Sequence, residues 1–337
     1  MNTYKVAIIG AGSIGANKPD HIDYPNGPNV LTHAHAVSAH PRTELMAFVD
    51  TDNAKAVAAC EKWDVDAMYP SVDVMAIECK PDIVIVAVPT ELHYDILMDI
   101  LDRPSHPKLI IAEKPFCQHG HQAITTESLY KDCNVPIMVD YIRRFSPGHQ
   151  EIKKQIESGK FGKALNCRVL YTRGLRHEGC HAIDLMRSFF GECGNLLFPK
   201  MRKENFINYM SLPGIHDRDG QDPSLHIHYE FEKCNDIIFQ PCDGRKYGIF
   251  EVDICFENCR IRLIDNGLYY EMYPITEENE WGHKSLNYQL TDVLRRETGL
   301  NLALYSLINN AVNFLDGKEQ LLCRAKDAIA VHEILEG

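Results

Sequence analysis

The sequence predicts an α/β doubly wound Rossmann domain, followed by an α+β domain with an open, mostly antiparallel sheet and helices on one face. Three observations carry that expectation. An unbroken apolar run at residues 6–9 ends directly in G-x-G-x-x-G at Gly10, Gly12 and Gly15. Strand-like and helix-like segments then alternate up to about residue 143. Beyond that point, longer strand-like runs joined by turn signals replace the alternation.

The glycine run has the form of a buried parallel strand turning into a helix whose N-terminus receives a dinucleotide pyrophosphate. Gly10 serves the tight turn, Gly12 lets backbone approach the phosphates, and Gly15 lets helix pack on strand. The amides around Gly12, Ser13, Ile14 and Gly15, at the positive helix end, are the candidate phosphate cradle. Further apolar runs at 44–50, 81–89, 107–115 and 135–141 read as strands. Helical patterns lie between them at 33–40, 53–63, 91–101 and 121–132. Strands separated by helices at this spacing imply right-handed βαβ crossovers and a parallel sheet covered on both faces. Ligands of such sheets bind outside the strand carboxyl ends, here Gly10, Asp50, residues 88–90 and residues 113–115.

The first domain is therefore expected over 1–143 and the second over 144–337. In the second, 149–160 reads as a helix, and 164–173, 224–231, 235–242 and 248–256 read as strands. Asn-Gly inside 260–273 is a hairpin signal. Helical patterns at 302–317 and 324–337 close the chain.

With 35 basic against 47 acidic residues the net charge is −12, which argues against nonspecific nucleic-acid binding. No apolar stretch reaches the length of a membrane span, and the N-terminal residues lead straight into a strand, so a cytoplasmic location is expected. The twelve cysteines include no C-x-x-C, which disfavours a zinc or disulfide framework.

Asp50 ends the second strand, where an acid hydrogen-bonds the adenosine ribose and repels a 2′-phosphate; Thr51 and Asp52 follow, and no base occurs before Lys55. NAD(H) is thus favoured over NADP(H). The spacing is unusual: Asp50 lies 35 residues beyond Gly15, where about 20 is expected. The surplus, 16–31, has three prolines and no helical period, and reads as an insertion beside the phosphate site. Lys18 and His21 within it are candidate ligand contacts. His33 and His35 form an H-x-H, but its setting on a helix after a glycine turn disfavours metal, and no metal site is expected.

A-E-K-P at 112–115, closing the strand-like run 107–115, resembles the end of the fifth Rossmann strand in the glucose–fructose oxidoreductase/inositol dehydrogenase family of NAD(P)-dependent oxidoreductases. Segments 86–96 (with Pro89, Thr90 and His93), 139–163 (with Arg143 and Arg144) and 179–191 (G-x-H-x-x-D) are similar to that family in order and spacing. The resemblance implies cofactor contacts from Pro89, Thr90, His93 and Glu113. It also implies a second domain that forms the substrate wall and an interface of a homodimer or homotetramer. Chemistry is implied at Lys114 and His181. These roles make independent sense, because oxidising a carbinol removes a hydride and a hydroxyl proton together. A histidine can take that proton, and a lysine can stabilise the developing alkoxide. Asp184, three residues after His181, shares its helix face and could orient substrate hydroxyls. Arg143 and Arg144 are candidate substrate contacts.

The chain departs from the family's D-x-G-x-H at one position, where His177 stands for the aspartate. His177 is therefore a third candidate catalytic group. The expected function is hydride transfer between nicotinamide and a carbinol of a sugar, polyol or nucleotide-activated sugar. A non-catalytic dinucleotide-binding regulator or scaffold of the same fold is the alternative.

Overall fold

The computed structural model describes residues 2–198, 222, 226–244, 246–289 and 293–336. The chain divides into two compact units, 1–145 with 301–337, and 146–300.

In the first unit the elements run β1 (Tyr4–Ile9), α1 (His33–Ala39), β2 (Thr43–Val49), α2 (Asn53–Trp63), β3 (Ala67–Tyr69), α3 (Val72–Glu78), β4 (Ile83–Val86), α4 (Thr90–Leu101), β5 (Leu109–Glu113), α5 (Gly120–Asp132) and β6 (Ile137–Asp140). The six strands lie in the order β3-β2-β1-β4-β5-β6, and every pairing is parallel. The order reverses direction between β1 and β4, so the carboxyl ends of those strands form the topological switch point. Strands β4, β5 and β6 are buried along their whole length, as sequences flanked by helices on both faces require. Sequence reading missed β3 and α3, because a three-residue edge strand and a seven-residue helix are too short to show a period.

The second unit contains α6 (Pro147–Glu157), β7 (Ala164–Tyr171), α7 (Cys180–Phe190), β8 (Cys193–Phe198), β9 (Ile227–Phe231), β10 (Cys234–Pro241), β11 (Phe250–Phe256), β12 (Cys259–Ile264), β13 (Tyr269–Pro274) and β14 (Leu294–Glu297). Its sheet runs β14-β13-β12-β11-β7-β10-β9-β8 and is antiparallel except between β7 and β10. Strands β9, β11 and β12 alternate buried and half-exposed residues, so one face is packed and the other open. The Asn-Gly signal does form the β12–β13 connection, with Asn266 at φ 55° and Gly267 at φ 84°. The strand expected over 224–231 begins at Ile227, and residues 224 and 225 lie outside the described residues.

Two helices end the chain, α8 (Ala303–Leu315) and α9 (Ala325–Glu336). The division at 143/144 gave them to the second domain; they belong to the first unit instead. The reason is packing. Helix α8 lies on α1 and on the 3-10 turn Ile142–Phe145, and α9 lies on α5 and β6. Leu304, Leu307, Ile308, Ala311 and Val312 are buried along α8. Asp316, just past α8, accepts from Tyr4 Oη at 2.9 Å and pairs with Arg42, while Glu336 accepts from the Gly120 N–H at 2.8 Å.

Candidate active site

The glycine turn is built as its sequence implies. Gly10 sits at φ 100°, and a Cβ there would stand 2.5 Å from the Ala87 carbonyl oxygen. A Cβ on Gly15 would meet the Gly10 carbonyl oxygen at 1.9 Å. A Cβ on Gly12 would meet nothing within 4 Å, so Gly12 faces open space at the switch point. Ser13 is exposed and Ile14 partly so. These features fit a dinucleotide, with Gly12 and the following amides available to its pyrophosphate.

The insertion does not displace the helix that should follow. The turn closes with Ala16 N–H to the Gly12 carbonyl at 2.9 Å, and the helical ladder then jumps across the insertion. His33 donates to the Ile14 carbonyl at 3.0 Å and Ala34 to the Gly15 carbonyl at 2.9 Å. His33 thus bonds to Ile14 as a residue four positions further along a helix would, and α1 docks end-on to the turn. Residues 18–32 are looped out between the turn and α1, which keeps its own N-cap in Thr32. Setting them aside returns Asp50 to the expected spacing of about 20 residues past the fingerprint. Asp50 accordingly reaches the turn, accepting from the Ala11 N–H at 2.8 Å and the Asp52 N–H at 2.8 Å. Thr51 beside it is exposed, and Asp52 caps α2.

The looped-out segment is tied down by Asp23, a residue that sequence reading did not single out. Fully buried, it accepts from Thr32 Oγ1 at 2.7 Å and lies 2.7 Å from His35 Nδ1. Lys18 donates to the Leu31 carbonyl at 2.8 Å. Burial lowers the Lys18 ammonium pKa, and Asp23, Glu113 and Asp140 offset only part of that. His21 is exposed. The two histidines of the H-x-H diverge, His35 toward Asp23 and His33 toward β5 and β6, and so do not form a pair. Residues two apart on a helix do not face each other.

At the end of β4, Pro89 caps α4 and Thr90 begins it. His93 follows on α4. It is fully buried, with Nε2 2.9 Å from the Val88 carbonyl and Nδ1 3.2 Å from that of Phe116. Its ring ties the loops after β4 and β5 together. Burial lowers its pKa despite those carbonyls. Glu113, also expected among cofactor contacts, faces inward onto His33 Nε2 at 2.9 Å. Lys114 follows at the carboxyl end of β5, half-buried.

Arg143 and Arg144 occupy the turn after β6, and both are buried. Arg144 donates to the Leu322 carbonyl at 3.2 Å and lies 3.5 Å from Asp327, holding the chain's closing segment.

The second unit carries the remaining candidates. His177 lies exposed in the π-helical turn Leu175–Gly179, just before α7, and His181 is the second residue of α7, partly exposed. Asp184 is buried on the same helix. The π turn is held by Asp222, whose carboxylate accepts from the Arg176 N–H at 2.7 Å and the His177 N–H at 2.8 Å. No local pattern could have pointed to Asp222, 45 residues from its partner.

A doubly wound sheet of order 3-2-1-4-5-6, with a glycine turn and an acid meeting at its switch point, defines a dinucleotide-binding protein. Residues 4–141 match the model described as an oxidoreductase family with NAD-binding Rossmann fold. Inositol 2-dehydrogenase of Corynebacterium glutamicum is 29% identical over 168 residues, covering 50% of this chain and 45% of that protein. D-glucoside 3-dehydrogenase of Escherichia coli is 27% identical over 175 residues, covering 52% of this chain and 44% of that protein. These matches span about half the length of the curated relatives. A solved oxidoreductase from Agrobacterium radiobacter, in complex with NAD+, L-tartaric acid and magnesium, shares the fold over 99% of this chain and 95% of its own, at TM-score 0.72 and 15% identity. Among the described residues no helix is long and apolar enough to cross a membrane.

Proposed function

We propose that this protein is an NAD-dependent dehydrogenase that oxidises a carbinol of a sugar, polyol or nucleotide-activated sugar, or runs the reverse reduction. The observation that carries the reading is the placement of Lys114 at the carboxyl end of β5, one strand from the switch point that the glycine turn opens. The relatives named as inositol and glucoside dehydrogenases support the substrate class.

When bound, nicotinamide supplies the hydride acceptor at C4. The chain's own residues manage the proton and the charge. Lys114 holds the substrate hydroxyl and stabilises the alkoxide as the C–H bond breaks. His181 exchanges the hydroxyl proton, and Asp184 on the same helix orients the substrate. His177, in place of the family's aspartate, adds an imidazole to the substrate side. Preference for NAD(H) rests on the carboxylates of Asp50 and Asp52, which oppose a 2′-phosphate. The open face of the second sheet suits association into a homodimer or homotetramer. The same site without turnover would describe a dinucleotide-binding regulator, the alternative that His177 keeps in view.

The test is a panel of polyols, inositols and nucleotide sugars followed at the NADH absorbance band. Turnover of one class that Lys114→Ala abolishes, with NADH binding retained, supports the reading. Full activity in Lys114→Ala, or no dinucleotide binding, overturns it; binding without turnover of any substrate favours the regulator.

A further inference from the structure

Beside Lys114 lies a buried group that the dehydrogenase chemistry does not use. Glu113 ends β5 and Asp140 ends β6, and the parallel register sets them directly opposite. Glu113 is 9% exposed, Asp140 2% and His33 0%. One side-chain atom from each lies within 4.8 Å of the others. His33 Nε2 stands 2.9 Å from Glu113 Oε1 and 3.7 Å from Asp140 Oδ2. Two carboxylates this close, away from water, cannot both be ionised at modest cost, and such pairs retain one proton between them. His33 does not remove the need for that proton. Its Nδ1 is buried without a hydrogen-bond partner. A neutral ring with its proton on Nε2 leaves only a lone pair there, whereas an imidazolium would bury an unpaired N–H.

We propose that His33, Glu113 and Asp140 form a proton-sharing cluster with a single negative charge, in which protonated Asp140 donates to ionised Glu113 and so positions Lys114. Glu113 is the hinge of the arrangement. Its Oε1 faces His33, and its Oε2 accepts from the Lys114 backbone N–H at 3.3 Å. The other charged or titratable groups facing the cluster are Lys114 itself, His93 from α4 and Lys18 from the looped-out segment. Burial pushes the Asp140 carboxyl well above the usual range, and the charge and hydrogen bond of Glu113 raise it further, with Lys114 and Lys18 offsetting only part. Burial also raises Glu113, but the hydrogen bond from His33, and then the charge of Lys114, bring it below its ordinary value. These three are positioning residues. Their charge assignment stands on the cluster itself, while its bearing on turnover rests on the proposed role of Lys114.

The experiment uses the full-length protein without substrate. Infrared difference spectra of wild type minus Asp140→Asn at pH 7 are expected to show the carbonyl stretch of a protonated carboxylic acid, which carboxylates lack. In the wild type the band should persist to pH 8, where ordinary carboxyls with pKa about 4 are ionised. That titration carries the test alone if Asp140→Asn fails to fold. Absence of the band at pH 7 overturns the proposal, as does a stoichiometric divalent cation in the purified protein, since a metal needs the ligands deprotonated. The link to Lys114 is read by cyanate labelling at pH 8 with peptide mass spectrometry. Glu113→Gln should speed labelling about threefold to tenfold, the scale of up to one unit of proton affinity, and Asp140→Asn by less than about twofold. Equal effects, or none in Glu113→Gln, overturn the arrangement. An intact band with full turnover in Lys114→Ala would instead remove the role of Lys114 and leave the cluster standing.

Discussion

Asp23 and His35, twelve residues apart, meet inside the protein with Asp23 Oδ1 2.7 Å from His35 Nδ1. The contact joins the middle of the looped-out segment to α1, the helix that follows it. With the Thr32 hydroxyl on its other oxygen, Asp23 fastens the loop from within.

That fastening has a measurable weight. Asp23→Ala strands two buried donors, and about 1–3 kcal/mol per unsatisfied group is the usual penalty. Urea unfolding should show the variant destabilised by about 2–6 kcal/mol on that scale. A change below about 0.5 kcal/mol, the size of an ordinary surface substitution, would mean the loop is held by other contacts.

The three glycines of the turn should separate by experiment. Gly15→Ala forces a Cβ to within 1.9 Å of the Gly10 carbonyl oxygen and should lower the melting temperature sharply or prevent folding. Gly12→Ala places its methyl in open space, so stability should change by less than about 1 kcal/mol. NADH affinity should nonetheless fall, as read by fluorescence titration, because the methyl stands where the backbone receives phosphate. Unchanged affinity in a folded Gly12→Ala would place the dinucleotide elsewhere.

His93 gives the fold a pH dependence of known sign. Burial, against the pull of the two carbonyls, holds its pKa below the ordinary 6.5. The unfolded chain therefore binds a proton that the folded one refuses, and the stability present above pH 6.5 is lost as pH falls through the window below it. The slope from this one group is at most about 1.4 kcal/mol per pH unit. Subtracting the unfolding free energies of His93→Gln from those of wild type, measured between pH 7.5 and 5, should isolate that slope. A flat difference would show that the ring takes up its proton over the same pH range in the folded and unfolded chains.

A chain ending at residue 300 tests where the first unit closes. It loses α8 and α9, exposing the surfaces of α1, α5 and β6 that they cover. It also loses Asp316, whose carboxylate accepts from Tyr4 Oη at 2.9 Å and pairs with Arg42. Limited proteolysis should then cut within 1–145 under conditions where the full chain resists. Equal resistance would restore the sequence division at 143/144.

Much of the first unit was legible because its signals are local. A run such as I-V-I-V at 83–86, apolar at every position, declares a strand buried on both faces. The glycine turn and the acid of β2 declared a dinucleotide, and A-E-K-P placed Lys114 at a strand end. What escaped was short or distant. The strand β3 offers three residues, and β8 and β14 carry no strict alternation. Arg144 reads as a candidate substrate contact because its sequence position lies near the strand end; its partners Leu322 and Asp327 come from the far end of the chain.

The sequence by itself determined the cofactor class, the order of the parallel strands' chemistry and the candidate residues Lys114 and His181, since each depends on neighbours within a few positions. Only the tertiary structure decided that residues 18–32 loop out between the glycine turn and α1, that the closing helices complete the first unit, and that His33 meets Glu113 and Asp140. The physical reason is the same in all three cases. A buried backbone or side-chain polar group must find a partner, and the partner it finds is set by which elements pack together rather than by its place along the chain.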